Sequence, residues 1–524
     1  MRLLSFVFLS VIMLRASVPD AIGQVNFQKT FTFDGQQMVP ADMALSSDSG
    51  FVTAMNAFYD CYVTKFNSQG TFVWKKKFSS PAGAVSRSIR RTLSNGYLLS
   101  TYFTPGITQG TDLGLIKLDS LGNVFWAKAY GTGNSDFGYD AIEISNGNIL
   151  LAGSSVLNNR QLGSMLGIQG NGTLNWSVAF DDTASNGVII ERLLELTDGN
   201  IVLSGYSSYG SQTVNAKDGF LIKSAPNGTM LWNKVYHFPE WGNFTDVMET
   251  LDGGLIVSGI IDINQDGINN RDFFLMHTDS IGGILWAKAY TRDLDDLGNR
   301  VLPLSDGGFL ITGSLNTLSS ASTAIIKVNS SGVVQWTNQF PCQNSSPSGN
   351  VTLPAPGNGF YTFSTRQIPP LIQGYVIKTG NLGLGFCNDS TASVIPSNVN
   401  LQFNSPIKSV TMTGVVSTVV SLSGANPVYN ETTLCIPSGI DENNSIEIAS
   451  CFPNPSANGF FQISVTANAP KFECFDLCGK VVAFDQKPIG ENNYSVQLFS
   501  PGCYILRVST AYGSKSVKLM VTDL

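Results

Sequence analysis

Residues 139–180 read YDAIEISNGNILLAGSSVLNNRQLGSMLGIQGNGTLNWSVAF. Short runs rich in Ile, Leu and Val are separated by turn residues. YDAIEIS is a strand that ends at a tight Asn146-Gly147 turn. NILLAGSS is a second strand, GSMLGIQ a third, and TLNWSVAF a fourth behind the turn at Asn171-Gly172. Asn-Gly between apolar runs supplies the positive φ that a tight hairpin requires. The stretch is therefore a four-stranded antiparallel meander.

The same pattern recurs along the chain. A turn glycine, three residues and a tryptophan give GTFVWKKKF, GNVFWAKAY, GTLNWSVAF, GTMLWNKVY, GGILWAKAY and GVVQWTNQF, with Trp at 74, 126, 176, 232, 286 and 336. The runs before this motif occur seven times, as in NGYLLS, DGNIVLSG and DGGFLITG for strand two and LGLIKLDS and AIIKVNSS for strand three. Four strands every fifty residues or so make the blade of a β-propeller, because a lone sheet of this kind leaves apolar faces open that stacked blades bury. The period is similar to that of kelch-like repeats. The expected fold is all-β: a seven-bladed propeller of four-stranded blades over residues 24–388, then a small Ig-like β-sandwich. NLGLGF at 381–386 lacks the tryptophan, so VNFQKTFTF at 25–33 is expected to complete the seventh blade and close the ring. The repeated tryptophans read as packing between blades.

Composition sets the compartment. Arg2, the apolar run Leu3–Leu14 and Ala21-Ile22-Gly23 form a signal-peptide pattern over 1–23. No later run is long enough for a transmembrane helix. Eight cysteines in no paired zinc spacing fit an oxidising compartment. Cys387 with Cys435, and Cys61 with Cys342, are the expected disulfides. The net charge of −7 leaves no basic footprint for nucleic acid.

Strand alternation places the tight turns at one end of each blade and the variable connections at the other, where a ligand is expected. His237 and Trp241 lie in one such loop, Arg292, Asp293, Asp295 and Asp296 in the next. A solvated or packed loop is the plainer account of both groups. Asp262, Asn264, Asp266, Ile268 (through its carbonyl) and Asn270 carry the 1-3-5-7-9 oxygen spacing of a calcium loop, with Gly267 at the bend. The loop resembles those of the integrin α-chain propeller, with Asn270 in place of Asp. Calcium is the expected ion and an Asn/Asp-rich turn the alternative. The only histidines are His237 and His277, and no nucleophile motif is present.

Residues 389–445 lack the repeat and are expected as a β-rich linker. From 446 the chain runs through CFPNPSANGFFQISV, KFECFDLCGKVV, SPGCYILRVST and GSKSVKLMV. In Asn454-Pro455 with Gly459, Asp476 with Gly479-Lys480, Gly502 with Tyr504, and Lys515 with Lys518, this region resembles the type A C-terminal sorting domain of the type IX secretion system. The resemblance implies the secretion machinery as a partner and delivery to the outside of a Gram-negative cell, either released or at the surface. Cys451, Cys474, Cys478 and Cys503 depart from the family's pattern, and their pairing is open among three arrangements. The expected function is surface binding or adhesion, with glycans or surface proteins as partners. A glycan-active hydrolase or lyase using the variable face is the alternative.

Overall fold

The computed structural model describes residues 26–435 and 448–522, apart from 82, 104–109, 210–215, 263–270, 292–294, 317–319, 344–350, 386–388, 455, 466–469, 477–479, 491–492 and 511–512. The expected leader lies outside this range. Among the described residues all regular structure is β. The chain divides into two units, 1–435 and 436–524.

The first unit holds seven four-stranded antiparallel meanders. Blades one to six span residues 39–79, 85–131, 136–181, 187–237, 241–291 and 297–343. Blade seven takes three strands from 351–379 and its fourth from Phe27–Phe33, which pairs with Leu371–Thr379. The first strand of the propeller thus joins its last blade, as the sequence predicts. Blade seven packs on both blade one and blade six, closing the ring.

The core lies between blades. Seven apolar clusters each draw side chains from two neighbouring blades. The repeated tryptophan works at this seam. Trp74, Trp126 and Trp286 donate Nε1–H to the carbonyls of Ser120, Gly170 and Ser330 in the next blade, at 3.1–3.3 Å. The rings of Trp74, Trp176 and Trp336 also lie against a turn glycine of the next blade, which leaves no room for a side chain: a Cβ on Gly228 would stand 2.7 Å from Trp176. In blade seven Phe27 takes the tryptophan's place, against Gly70 of blade one.

The stretch expected as a linker is β-rich, but it belongs to the propeller unit. Ser390–Thr391, Ile395–Asn398, Gln402–Asn404, Lys408–Thr411, Val416–Val419, Ser423–Ala425 and Tyr429–Cys435 add a fifth strand to blades six, five, four, three, two, one and seven in turn. Each pairs antiparallel with the blade's outermost strand. The segment is a strap that runs round the circumference against the order of the blades. Between its strands it drops apolar side chains into the grooves: Val394 between blades five and six, Val399 and Leu401 between four and five, Ile407 between three and four. Burying each such side chain stabilises the ring by about 1.5–3 kcal/mol. Seven edges that would otherwise template pairing with other chains are covered.

The expected Cys61–Cys342 bridge is absent; both are buried free thiols. Cys61 packs in the core between blades one and two, Cys342 in the core between six and seven, so blade seven's own strands stand between them. Cys451, Cys474 and Cys503 are also free. Cys387, Cys478 and the Cys435 side chain lie outside the described residues.

The second unit is a sandwich of a four-stranded sheet and a three-stranded sheet. Alternate residues of Phe460–Val465, Asn493–Gln497 and Gly502–Thr510 bury Phe461, Ile463, Val496, Leu506 and Val508 in one core.

Candidate binding site at the propeller axis

Six of the seven innermost strands carry a β-bulge at the same place. The register slips between Pro40 and Asp42, Ser86 and Ser88, Gly138 and Asp140, Ile190 and Arg192, Phe244 and Asp246, and Gly298 and Arg300. A bulge re-aims side chains beside it. The six skipped residues, Ala41, Arg87, Tyr139, Glu191, Thr245 and Asn299, all line one cavity of about 530 Å³. Phe58, Tyr59 and Tyr102 complete its wall. Phe58 and Tyr59 come from a two-to-three connection, so the cavity opens on the variable face.

The residue after five of the six bulges builds the floor. Asp42, Asp140, Arg192, Asp246 and Arg300 are buried there, and Arg90 reaches in from blade two. Arg90 forms a fork on Asp140 at 2.8 and 3.2 Å. Arg300 donates to Asp42 at 3.0 Å and lies 3.8 Å from Asp246. Arg192 lies 3.7–3.9 Å from Asp42, Asp140 and Asp246. Each aspartate also accepts a backbone N–H from the following blade: Ile89 on Asp42, Leu193 on Asp140 and Val301 on Asp246. Three guanidinium groups and three carboxylates thus balance. Burial pushes Asp42 and Asp246 up, the latter to about 6, against the pull of Arg192 and Arg90. At Asp140 burial pushes the same way, but Arg90 and Arg192 outweigh it and hold the carboxylate low.

Above this hub the mouth is aromatic and polar. The Arg87 guanidinium lies 4.7 Å from the Tyr139 ring centre. Tyr102 meets Phe137 edge to face. Burial, then Glu191, pushes the Tyr139 phenol up, so it is a hydrogen-bond donor at neutral pH. Among the described residues, Glu191 is the one carboxylate lining the mouth outside the hub. A second opening, of about 570 Å³, lies on the circumference between blade edges and strap; among the described residues Lys408 is its one charged lining residue.

The sequence-predicted residues sit elsewhere. His237 Nδ1 is 2.7 Å from Asp218, whose other oxygen accepts from Phe238 N–H. Trp241 opens the first strand of blade five, half-buried, with the Lys217 ammonium 5.4 Å from its ring centre. Neither lines the mouth. Arg292 and Asp293 lie outside the described residues, while Asp295 forms a fork with Arg271 at 2.5 and 2.6 Å. Of the calcium loop only Asp262 is described: it ends the strand Leu255–Asp262, buried opposite Arg271. Asn264, Asp266, Ile268 and Asn270 fall outside. The mouth residues missed in the sequence share no side-chain type; what they share is a place, the bulge in the first strand of each of six blades, beside a buried charge in five of them.

In the C-terminal unit the motif residues fasten the sandwich. Asn454 donates to the Lys518 carbonyl at 2.5 Å and accepts from Met520 N–H at 3.0 Å, tying the start of the unit to its last strand. Asp476 accepts Lys480 N–H at 2.9 Å. Gly459, at φ +68°, has Leu498 O only 2.1 Å from where a Cβ would stand. The Tyr504 hydroxyl donates to Ser500 O at 3.0 Å, beside Gly502. Pro455, Gly479 and the Lys515 side chain are not described. Residues 450–522 match the secretion system C-terminal sorting domain family. The C-terminal unit is a type IX sorting domain.

The sorting domain makes this an exported protein, secreted or held at the outer surface of a Gram-negative cell, and makes the secretion machinery its partner. No helix among the described residues is long and apolar enough to cross a membrane. No curated protein matches the sequence. Among solved structures the chain is similar to a polysaccharide lyase, the PL25 ulvan lyase bound to -[GlcA(1-4)Rha3S]-, with 10% identity, TM-score 0.47, and coverage of 67% of this chain and 96% of that one. It is also similar to puromycin hydrolase (13% identity, TM-score 0.41, 67% and 53% covered) and to a luciferin-regenerating enzyme (10%, 0.37, 68% and 96%). Likeness this distant carries nothing about the chemistry of the mouth.

Proposed function

We propose that the propeller is a glycan-binding module, delivered to the cell exterior by its sorting domain, and that the axial mouth is its binding site. The observation that carries this is the set of bulged residues. Six blades aim Ala41, Arg87, Tyr139, Glu191, Thr245 and Asn299 into one cavity beside Tyr59 and Tyr102. Aromatic faces with a few convergent polar groups suit a polyhydroxylated ligand. The cavity is large enough for a few sugar rings and rests on a rigid, charge-balanced floor.

Binding is favoured over hydrolysis because a glycoside hydrolase of the common kind needs two carboxylates facing the bond. The mouth offers Glu191, and the three hub aspartates already face arginines. A Tyr139 phenol pushed up also suits a donor better than a base. The full chain applied to a glycan array is expected to bind a restricted set of glycans, and Tyr139→Ala to lose them with its melting temperature kept. Glycan cleavage products in the mixture, found by mass spectrometry, would favour the enzyme reading instead; no binding at all would overturn this one.

A further inference from the structure

Two cations of this face are held by rings. Arg87 stacks on Tyr139. The Lys217 ammonium lies 4.1 Å from the ring centre of Tyr206 and 5.4 Å from that of Trp241. Neither makes a salt bridge among the described residues, whereas Arg90, Arg192, Arg271 and Arg300 all face carboxylates. The difference has a consequence. A carboxylate partner fixes a cation and neutralises it. A π face fixes it too and supplies no opposite full charge.

The two cations belong to one surface. Arg87, Tyr139 and Glu191 line the mouth, and in the blade of Glu191 Tyr206 stands opposite Ile189 and Lys217 opposite Ser208 on adjacent strands. Arg87 lies on blade two, Tyr139 on three, Glu191, Tyr206 and Lys217 on four, and Trp241 on five. Among the described residues, two cations without a salt bridge therefore stand against one carboxylate, in a chain whose net charge is −7.

Resting on the glycan-binding reading, we infer that the ligand is an anionic glycan chain lying from the axis outward over blades two to five, with carboxylate or sulfate groups on Arg87 and Lys217 and hydroxyls on Glu191 and Thr245. The cations set the ligand's charge, and the aromatic rings set where that charge must fall. Because the groups lie on successive blades, a chain of several sugars fits better than a single sugar.

The test is binding of the full chain, by calorimetry, to four probes: oligogalacturonate, dextran sulfate oligosaccharide, neutral cello-oligosaccharide and phosphatidylglycerol vesicles. At least one anionic glycan is expected to bind tenfold or more tightly than the neutral one. Its affinity is expected to fall several-fold as salt rises from about 0.05 to 0.5 M, as the Debye length shortens. Arg87→Gln and Lys217→Gln are each expected to weaken it three- to tenfold with unchanged melting. The first two probes tell carboxylate from sulfate. Equal affinity for the neutral chain, or no effect of either variant, overturns the anionic inference while leaving a glycan-binding mouth. Vesicle binding equal to glycan binding overturns it in favour of an anionic surface. If no glycan binds, the mouth's function and this inference fall together.

Discussion

Arg300 of blade six donates to the carboxylate of Asp42 in blade one at 3.0 Å, across 258 positions of sequence. Only a closed ring brings these groups together, and the bond reports that closure at the axis. Removing one partner of a buried pair costs about 3–5 kcal/mol, mostly through the charge left behind. Asp42→Ala is expected to destabilise by that amount, because Arg300 and Arg192 both lose a carboxylate. Arg300→Met is expected to cost less, and the double variant less than the sum of the two. Urea unfolding of the four proteins measures the coupling, and strict additivity would deny the pair.

The hub also makes stability depend on pH, with opposite signs at two positions. Folding raises the Asp246 pKa to about 6 through burial, so the folded chain favours its protonated form. That contribution is full below the ordinary carboxylate value and is lost as pH rises through about 6. Asp140 is held low, so its contribution is present above that value and is lost in acid. Melting curves of wild type and Asp246→Asn are expected to draw apart in one direction only. The wild type loses ground to the variant between about pH 4 and 6, and the difference is constant above about pH 7. A difference that grows above pH 7 would contradict the assignment.

The repeat, the ring closure and the sandwich are legible in the sequence because each has a local signature. Trp176 with its turn glycine recurs in six blades, and the Phe27 strand lacks a partner of its own. The hub is not legible in this way. Asp42, Asp140 and Asp246 each read as a charge on a first strand, and only the packing of blades round the axis makes them face arginines. The strap hides for a different reason. Lys408–Thr411 is four residues long and exposed throughout, so it has no alternation to read. Its partners lie more than two hundred residues away in sequence. Cys61 and Cys342 were expected to meet because their blades are near in the ring. Ring order does not say which side of a blade a side chain faces.

Those thiols give a direct check. Burial pushes Cys61 up to about 12 and Cys342 to about 11. The thiolate is the reactive form, so both are expected to resist iodoacetamide at about pH 8 in the folded chain. Both should label fully once urea is added. Peptide mapping without reductant is expected to yield no peptide joining them.

The turn glycines separate two costs. Gly199 and Gly228 have φ of +78° and +87°, but a Cβ on Gly199 meets nothing within 4 Å while one on Gly228 meets Trp176 at 2.7 Å. Gly199→Ala is expected to cost about 1 kcal/mol, from backbone strain alone. Gly228→Ala is expected to cost about 1–3 kcal/mol more, because the tryptophan between blades three and four must move. Equal unfolding midpoints for the two would show that the ring yields without cost.

The strap is pinned at its middle by one side chain. Asn233, buried on the outer strand of blade four, donates to Ile407 O at 3.0 Å and accepts Ile407 N–H at 3.1 Å. Its own carbonyl accepts from the Ser405 hydroxyl. Asn233→Ala strands two buried backbone groups, at about 1–3 kcal/mol each if unsatisfied. The strap can relieve this only by lifting away, which exposes Ile407 and the edges of blades three and four. Trypsin is therefore expected to cut after Lys408 at least tenfold faster in the variant, before any blade is cleaved. The opposite end of the strap should stay protected, because Tyr429–Cys435 pairs along nearly the whole of Phe27–Phe33 and Lys29 bonds Glu431 at 2.8 Å. Cleavage confined to the middle would mean that the strap is held blade by blade. Loss of the entire strap at once would mean that it is held as a unit, with the N-terminal strand as its anchor.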